Sequence, residues 1–320
     1  MVKICALGAA SQDVFLSGHD IVSSTDTQGN LVESFPLGAK INIEHVVFNT
    51  GGGATNAAVT FARQGIEASF IGKIGRDSAG SAVIAELDGD HVDTSQVVYD
   101  ETLGTQYSTV LLANTGERSI LIYRGAAHAH TAADYEHIDF GVYDWLYVSS
   151  FAGAMDALHV IFEKAKAQGV KIAFNPGQAE LDAIDQLRPL LDDVDVLLVN
   201  KDEAALIVEG QNSEELVRHG VNLVPVVVVS DGPNGVTATD GKTVISAGMY
   251  EDVPVVDRTG AGDAFGSGFV SQWAQGKSLK DAVVFASANS TSVVSFVGAK
   301  TGILQAGVVL HDMPLTEKTF

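Results

Sequence analysis

Short apolar runs alternate along the chain with segments of helical periodicity, most regularly after residue 130. The apolar runs are Trp145–Ser149, Val170–Phe174, Val194–Val199 and Val224–Ser230. The helical segments between them include Met155–Gln168 and Leu181–Leu191. Continuous apolar runs joined by helices are typical of parallel strands that are buried on both faces. The pattern therefore predicts an α/β fold with a mostly parallel central sheet between layers of helices.

The same alternation is visible at both ends of the chain. Near the N-terminus, strands are predicted at Lys3–Gly8 and Ala68–Ile74, with helices at Ala54–Gln64 and Ser78–Leu87. The last helices are predicted at Ala261–Gln275 and Leu279–Val294. The first apolar run contains the only cysteine, Cys5, which is expected to be a small buried thiol.

Two segments interrupt this alternation and predict a small separate sheet. Val14–Phe48 has little helical periodicity, and Thr105–Gly125 alternates like an antiparallel hairpin around Asn114-Thr115-Gly116. We expect residues 14–48 and 105–125 to form a β-lid, and residues 1–13, 49–104 and 126–320 to form the main domain. A small sheet leaves an apolar face and two edges exposed, so a ligand and a second subunit would cover them. The pattern thus favours a homodimer through the lid.

The charge of the chain excludes some classes of partner. Forty acidic residues against 19 basic ones give a formal net charge of -21, which repels phosphate backbones and anionic lipid. We therefore expect no nucleic-acid and no membrane partner. The N-terminal apolar run is shorter than a signal-peptide core, and no run approaches the ~18 apolar residues of a spanning helix. A cytoplasmic protein is expected.

The sequence Asp257-Arg258-Thr259-Gly260-Ala261-Gly262-Asp263-Ala264-Phe265 is the most informative motif. It follows an apolar run and opens a helix, where glycines bring unpaired N–H groups and the positive end of the helix dipole to an anion such as phosphate. Asp263 would lie beside that phosphate, a repulsive arrangement unless the acid collects a proton. The alternative is that Asp263 only stabilises the helix start.

Two other phosphate-binding motifs are disfavoured. The dinucleotide fingerprint fails because Phe265 replaces its third small residue and the motif lies far from the first strand. Gly241-Lys242-Thr243 ends like a P-loop, but Val236 replaces the leading glycine, which favours a hairpin turn. A dinucleotide-dependent enzyme is therefore the weaker hypothesis.

The DRTGAGD stretch and Asn49–Gly65 (NTGGGATNAAVTFARQG) together resemble the two signature regions of the ribokinase-like PfkB family of carbohydrate and nucleoside kinases. The resemblance implies a ribokinase-like three-layer α/β/α sandwich with a small β-sheet lid. It also implies transfer of the γ-phosphoryl of ATP to a hydroxyl of a small sugar, with Mg²⁺. A nucleoside kinase of this family and a catalytically idle sugar- or nucleotide-binding relative remain as alternatives, and the sequence does not specify which sugar is used.

The resemblance assigns roles around the reacting groups. Asp263 would be the general base that takes the proton from the acceptor hydroxyl. The N–H groups of Gly260, Ala261 and Gly262 would form an anion hole for the transferred phosphoryl group.

Acceptor-binding residues are implied at two places in the chain. Gly51, Gly52 and Asn56 match the GGxxxN loop of the family, and Asp13 matches a sugar-binding aspartate after the first strand. Arg124, at the end of the predicted hairpin, would suit a carboxylate or phosphate on the substrate, although a solvated arginine is an equal alternative.

Asn200-Lys201-Asp202-Glu203 matches the NxxE motif of the family, in which Glu203 would help to hold Mg²⁺ through water. The alternative for Glu203 is an ordinary acidic first turn of a helix. The other residues implied at the nucleotide are Ser230, Gly232, Gly235 and Asn289.

Two further groups of residues bear on metal binding. The resemblance places a monovalent cation, K⁺, at Asp257 and Thr259 beside the anion hole. His128 and His130 form an HxH pair, but a third ligand at metal spacing is absent from the sequence, so a zinc site is not predicted.

Overall fold

The computed structural model describes residues 1–113, 117–250 and 253–320. The strands, in chain order, are β1 (Lys3–Leu7), β2 (Ser11–Ser17), β3 (Ser23–Thr25), β4 (Leu31–Glu33), β5 (His45–Gly51), β6 (Glu67–Ile71), β7 (Lys73–Gly75), β8 (Val98–Asp100), β9 (Gln106–Leu112), β10 (Arg118–Tyr123), β11 (Trp145–Val148), β12 (Lys171–Phe174), β13 (Val196–Asn200), β14 (Val226–Ser230), β15 (Val236–Thr239), β16 (Thr243–Ala247) and β17 (Leu315–Thr319). The helices are α1 (Gly53–Arg63), α2 (Ser78–Gly89), α3 (Met155–Ala167), α4 (Gln178–Asp182), α5 (Ile184–Leu190), α6 (Lys201–Ile207), α7 (Ser213–Gly220), α8 (Ala261–Ala274) and α9 (Leu279–Val293).

The described residues form a nine-stranded central sheet with the order β17-β16-β15-β14-β13-β12-β11-β1-β6. Every pair from β6 to β14 is parallel, and the remaining pairs are antiparallel. Two apolar clusters cover the two faces, one packed with α1, α8 and α9 and the other with α3, α5 and α7. The predicted α/β/α sandwich with a mostly parallel sheet is therefore confirmed.

One predicted helix needs correction. The helix predicted at Leu181–Leu191 consists of two short helices, α4 and α5, that meet at Ala183. Glu180 is fully buried and accepts hydrogen bonds from the backbone N–H groups of Phe151 and Gly153, which anchors α4 separately. The C-terminal strand β17 had no prediction, whereas the turn at residues 241–243 does join two antiparallel strands, β15 and β16.

A second, four-stranded sheet has the order β10-β9-β2-β5. Strand β2 pairs antiparallel with β5 and parallel with β9, so two distant parts of the chain build one sheet. The sheet begins at Ser11 and includes Gly51, which places Asp13 inside a strand rather than in the connection after β1. Strands β9 and β10 are antiparallel, while the predicted turn at Asn114-Thr115-Gly116 lies outside the described residues.

Within the described ranges, no helix has the length and apolar character needed to cross a membrane. Cys5 is fully buried in β1, as predicted, and this burial raises the pKa of its thiol.

Candidate active site

The starts of α1 and α8 meet at one end of the central sheet, and they bring Asn56 and Asp263 together. Asn56 Nδ2 donates a hydrogen bond of 2.8 Å to Asp263 Oδ2, although the two residues are 207 positions apart. Helix α8 is entered through Gly260, whose φ of 76° is left-handed. A side chain at Gly260 would also collide with Ala299, so only glycine allows this entry.

Asp263 lies in a mostly desolvated position that perturbs its ionisation. Burial raises the pKa of its carboxyl group, and the Asn56 hydrogen bond and the Lys300 charge oppose that rise. A Cβ atom at Gly53 would lie 3.3 Å from Asp263 Oδ1, so the glycine loop of residues 51–53 packs directly against the acid. The Asp263 carboxylate thus faces α1 and the glycine loop. This orientation favours a role in the candidate site over a role limited to stabilising the start of α8.

The predicted acceptor residues surround Asp263 on the side of the small sheet. Asp13 packs against Gly51, where any side chain would collide with the Asp13 carboxylate. Gly52 has a φ of 101°, and a side chain there would clash with the backbone of Ala9. The structure therefore brings Asp13, Gly51, Gly52 and Asn56 together, as expected from the sequence.

Two polar groups in this region are buried and lack hydrogen-bond partners among the described residues. They are the Asn56 Oδ1 atom and the Asn49 Nδ2 atom, one acceptor and one donor. An unpaired buried polar group costs about 1–3 kcal/mol, so a ligand with hydroxyl groups would compensate for both. Asn49 had no predicted role, although it begins the glycine-rich stretch.

Asp13 is held in place by hydroxyl groups. Ser11 Oγ donates to its Oδ1 atom at 3.2 Å, and Ser108 of the neighbouring strand also hydrogen-bonds to it. Burial raises the pKa of Asp13, while both serines and the Lys300 charge lower it. A fixed carboxylate of this kind can accept hydrogen bonds from two vicinal hydroxyls.

The N-terminus of α8 opens into a cleft of about 270 Å³ that contains most of the predicted nucleotide residues. Its lining includes Asn200, Ser230, Gly232, Gly235 and Gly262. Residues from α9 that the sequence reasoning missed, Ser287, Ser290 and Thr291, line the same cleft. An adjoining cavity is lined by both Asp263 and Glu203, so the cleft and the acid are continuous.

The predicted anion hole is only partly free in this structure. Gly262 is exposed and lines both cavities. The Ala261 N–H group, by contrast, donates to the Arg258 carbonyl at 3.3 Å. Gly262 is therefore the better-placed donor, because its position is open to a ligand and lies at the positive end of the helix dipole.

Glu203 both caps the start of α6 and lines the cavity beside Asp263. Asn200 Oδ1 accepts from the Glu203 N–H at 2.9 Å, and Glu203 Oε2 accepts from the Asn200 N–H at 2.8 Å, which is a reciprocal capping box. Burial raises the pKa of Glu203 against the effect of the Asn200 hydrogen bond. Its carboxylate nevertheless reaches the cavity beside Asp263, where hard oxygen ligands suit a hydrated Mg²⁺ ion.

Asp257 and Thr259, the proposed ligands of a monovalent cation, are already joined by hydrogen bonds. Asp257 Oδ1 accepts from Thr259 N at 3.0 Å and from Thr259 Oγ1 at 2.7 Å, and Asp257 Oδ2 accepts from Gly298 N at 3.0 Å. Arg118 of the small sheet places its Nη1 atom 3.7 Å from Asp257 Oδ1. A protein cation thus lies near one oxygen of this carboxylate, and the monovalent cation expected here stays a prediction, through which we derive no step.

Asn289, predicted to contact the nucleotide, does not line the cleft in this structure. Asn289 is fully buried, donates to the Ala264 carbonyl at 2.8 Å and accepts from Leu304 N at 2.9 Å. Its amide therefore joins α8, α9 and the following loop, and the cleft side of α9 belongs to Ser290 and Thr291 instead.

Arg124 and the two histidines lie outside the acid-containing cavities. Arg124 is exposed, and its Nη1 atom lies 3.0 Å from His128 Nε2. His130 is buried against Phe151, and this burial lowers its pKa to about 4. Across residues 1–113, 117–250 and 253–320, no cluster of three or more potential metal-ligating side chains is found.

Lys300 is the main residue that the sequence reasoning missed. It is 4% exposed, and its ammonium group donates to the Thr50 carbonyl next to the glycine loop at 2.9 Å. The available signal was a lone charge between Ala299 and Thr301, within a run of small residues, in a chain with only 19 basic residues.

Comparisons with known proteins identify the family of the chain. The sequence pattern of the pfkB family carbohydrate kinases matches residues 19–306. The ribokinase of Staphylococcus aureus (strain COL) is 25% identical over 310 residues, which cover 94% of this chain and 96% of the relative.

Solved structures share the fold over almost the whole chain. The Methanocaldococcus jannaschii nucleoside kinase, an archaeal member of the ribokinase family, has a TM-score of 0.77 and 21% identity, and covers 95% of both chains. The Arabidopsis thaliana ribokinase complexed with ribose and ATP has the same TM-score and identity, and covers 95% of this chain and 96% of its own.

Proposed function

The chain belongs to the pfkB family of carbohydrate kinases, and we propose that it transfers the γ-phosphoryl group of ATP to a hydroxyl group of a small sugar. The observation that carries the proposal is the position of Asp263. It lies where the acceptor pocket of Asp13 and the glycine loop meets the cleft lined by Gly262. The acceptor hydroxyl and the γ-phosphate of ATP can therefore bind on opposite sides of one carboxylate.

Asp263 is the general base of the proposed reaction. It takes the proton of the attacking hydroxyl as the oxygen–phosphorus bond forms and the bond to the ADP oxygen breaks. Burial raises its pKa, which strengthens it as a base, and the Asn56 hydrogen bond holds the carboxylate in one orientation. The charge of Lys300 favours its ionised form.

The start of α8 stabilises the transferred group. The Gly262 N–H and the positive end of the helix dipole face the negative charge on the phosphoryl oxygens, and neither needs to reorganise during the reaction. The nearby Gly260 and Ala261 form the turn that exposes these donors.

Mg²⁺ would be held by Glu203 through water, with Asn200 keeping the carboxylate in place. When bound, the ion supplies positive charge to the phosphate oxygens of ATP. The predicted monovalent cation at Asp257 stays a prediction. Equal rates in Na⁺-only, K⁺-only and tetramethylammonium buffers would contradict it.

The acceptor pocket favours a polyhydroxy ring. Asp13, the unpaired Asn49 amide N–H and the unpaired Asn56 carbonyl offer acceptors and a donor for vicinal hydroxyls. A free sugar and the ribose of a nucleoside share these groups. The likeness to a nucleoside kinase keeps that acceptor class as the second candidate.

The small sheet is proposed as a lid over this pocket and as a site of dimerisation. Its outer strands expose large apolar side chains that a partner sheet would cover, namely Val46, Phe48, Leu121 and Ile122.

The deciding experiment is a panel of pentoses, hexoses and nucleosides, each assayed for ATP-dependent ADP release with Mg²⁺. One sugar with a saturable rate, and a phosphorylated product detected by mass spectrometry, would support the proposal. A preference for nucleosides would transfer the assignment to the second candidate. The absence of turnover with every acceptor, despite measurable ATP binding, would favour a binding protein and contradict the proposal.

A further inference from the structure

Gly298 and Ala299, in the segment of residues 298–300 that follows α9, contact the Asp257–Phe265 motif at the start of α8. The Gly298 N–H donates to Asp257 Oδ2 at 3.0 Å. The next residue, Ala299, packs against Gly260 at the entry to α8, where glycine is required because Ala299 occupies the space of a side chain. This three-residue segment therefore supports the backbone of the proposed anion hole.

The last residue of the segment, Lys300, contacts the acceptor loop instead. Its Nζ atom donates to the Thr50 carbonyl at 2.9 Å and to Thr50 Oγ1 at 2.6 Å, and the Thr50 hydroxyl in turn donates to Glu86. Lys300 Nζ also lies 3.5 Å from Glu86 Oε2. A buried ammonium ion is costly unless it is paired and hydrogen-bonded, and these contacts meet that condition.

The charge of Lys300 acts on both carboxylates of the proposed site. Thr50 immediately precedes Gly51, which packs against Asp13. Lys300 lowers the pKa of Asp13 and of Asp263, against the effect of their burial. The segment thus joins the motif at the start of α8 to the glycine loop, and the charge of its lysine acts on Asp263 in the motif and on Asp13 beside the loop.

We propose that Lys300 is a positioning residue: its ammonium group fixes the backbone at Thr50 and Gly51 and places a buried positive charge beside the glycine loop that packs against Asp13 and Asp263. This inference rests on the proposed function. It explains why a lysine is kept 4% exposed in a segment of small residues, where a methionine of similar length would avoid the desolvation cost.

The sign of the pH effect follows from the charged groups around the lysine. Those facing Lys300 are Glu86 of α2, Asp13 of β2, Asp263 of α8, and the Arg63–Asp90 ion pair, whose arginine donates to the Lys300 carbonyl at 2.7 Å. Loss of the Lys300 charge removes a stabiliser of ionised Asp263, so its pKa rises. The activity of the variant should then be lost at a higher pH than that of the wild type as the pH falls.

The test compares three substitutions of Lys300 with a matched control elsewhere. Lys300→Met removes the charge and the donors, Lys300→Gln keeps a donor without the charge, and Lys300→Arg keeps the charge. The control is Lys73→Met, because Lys73 is also a buried lysine, 8% exposed, but its partners are Asp134 and Asp100, away from the site. Each variant is assayed for kcat/KM against pH, for acceptor KM and ATP KM, and for its unfolding midpoint.

We expect Lys300→Met to raise the acceptor KM about tenfold, the size of a lost charge-assisted hydrogen bond, and to move the acid limb of kcat/KM to higher pH. ATP KM should not change. Lys300→Arg should restore the limb, and Lys73→Met should lose stability without moving it. If Lys300→Met is too unstable to assay, Lys300→Gln carries the test, and its acid limb must still move.

The inference would be overturned if Lys300→Met or Lys300→Gln had the acceptor KM and the acid limb of kcat/KM of the wild type. Such a variant would show only a loss of stability, like Lys73→Met. Asp263→Asn is measured in parallel. If that variant loses turnover while the Lys300 variants behave like the wild type, the proposed function stands and only the role of Lys300 is rejected. If Asp263→Asn keeps its turnover, the proposed base itself is rejected.

Discussion

Substitution of Asp263 by Asn separates proton abstraction from every structural role of this residue. The amide oxygen of the variant can still accept the hydrogen bond that Asn56 Nδ2 donates at 2.8 Å, so the two helix starts stay joined. What is lost is basicity. General-base catalysis is worth a factor of about 10²–10⁴, so kcat should fall by that factor, or ~3–5 kcal/mol of barrier.

The same substitution should leave the fold intact or stabilise it. Burial raises the pKa of Asp263, so the folded protein binds this proton more tightly than the unfolded chain does. An ionised Asp263 therefore lowers the free energy of unfolding at neutral pH. The neutral variant should be at least as stable as the wild type there, and the difference should shrink as the pH falls through the raised pKa of the folded state and vanish below about 4, where both states are protonated.

Three measurements on one preparation test this reasoning: kcat, ATP affinity and the denaturant midpoint. ATP affinity should hold or improve, because a negative charge beside the γ-phosphate is removed. Asp281→Asn is the control, since Asp281 lies in the first turn of α9 and is bonded only to its N-cap residue, Ser278, in the described contacts. It should lose ~0.3–1 kcal/mol of stability and keep its kcat.

A folded Asp263→Asn variant that binds ATP and retains more than about a tenth of the wild-type kcat would refute the mechanism. A loss of stability comparable to that of Asp281→Asn, with turnover intact, would identify Asp263 as a helix-start residue instead.

Three further predictions concern the metal, the nucleotide cleft and the lid. Glu203→Gln keeps the capping bond to Asn200 but loses the charge. The Mg²⁺ concentration for half-maximal rate should therefore rise, while the unfolding midpoint stays close to that of the wild type. An unchanged Mg²⁺ dependence would reject the role of Glu203. Asn289→Ala should lower the free energy of unfolding by about 1–3 kcal/mol, because it leaves the Leu304 N–H without its partner and removes the link from α9 to the Ala264 carbonyl, whereas ATP KM should not change. A selective rise in ATP KM would support the predicted nucleotide contact. A saturating acceptor should slow amide hydrogen exchange in the four strands of the proposed lid, β2, β5, β9 and β10, and the protein should have a dimeric mass in solution. Unchanged exchange together with a monomeric mass would contradict both the lid and the dimer.

Much of the fold follows from local sequence signals. The strands of the parallel sheet are apolar runs, and the helices that cover it show the expected periodicity, because each depends on neighbours a few positions away. The glycine motifs are local in the same sense. Gly52 and Gly260 adopt backbone conformations that disfavour other residues, so their positions in the sequence mark the loops that approach a ligand.

Other features of the site depend on long-range packing, which the sequence does not encode in any local pattern. Asn289 lies on α9, a helix that is small or apolar on most of its faces, so periodicity could not predict that its amide would turn inward to Ala264. Asp257 was predicted to bind a cation, which stays a prediction, and no local pattern indicated that the small sheet would bring Arg118 to within 3.7 Å of it from a distant part of the chain.

The sequence alone determined the sandwich and the glycine loops, because backbone conformation and apolar periodicity are properties of short segments. The candidate base, Asp263, followed from the resemblance of two motifs to the family signatures. Only the tertiary structure decided which side chains meet at that base. The contact between Asn56 and Asp263 spans 207 positions, and the contact between Lys300 and Thr50 spans 250. Such pairs form because α1 packs against α8 and the loop after α9 packs against the entry to α8, and burial then selects the partners of each charge.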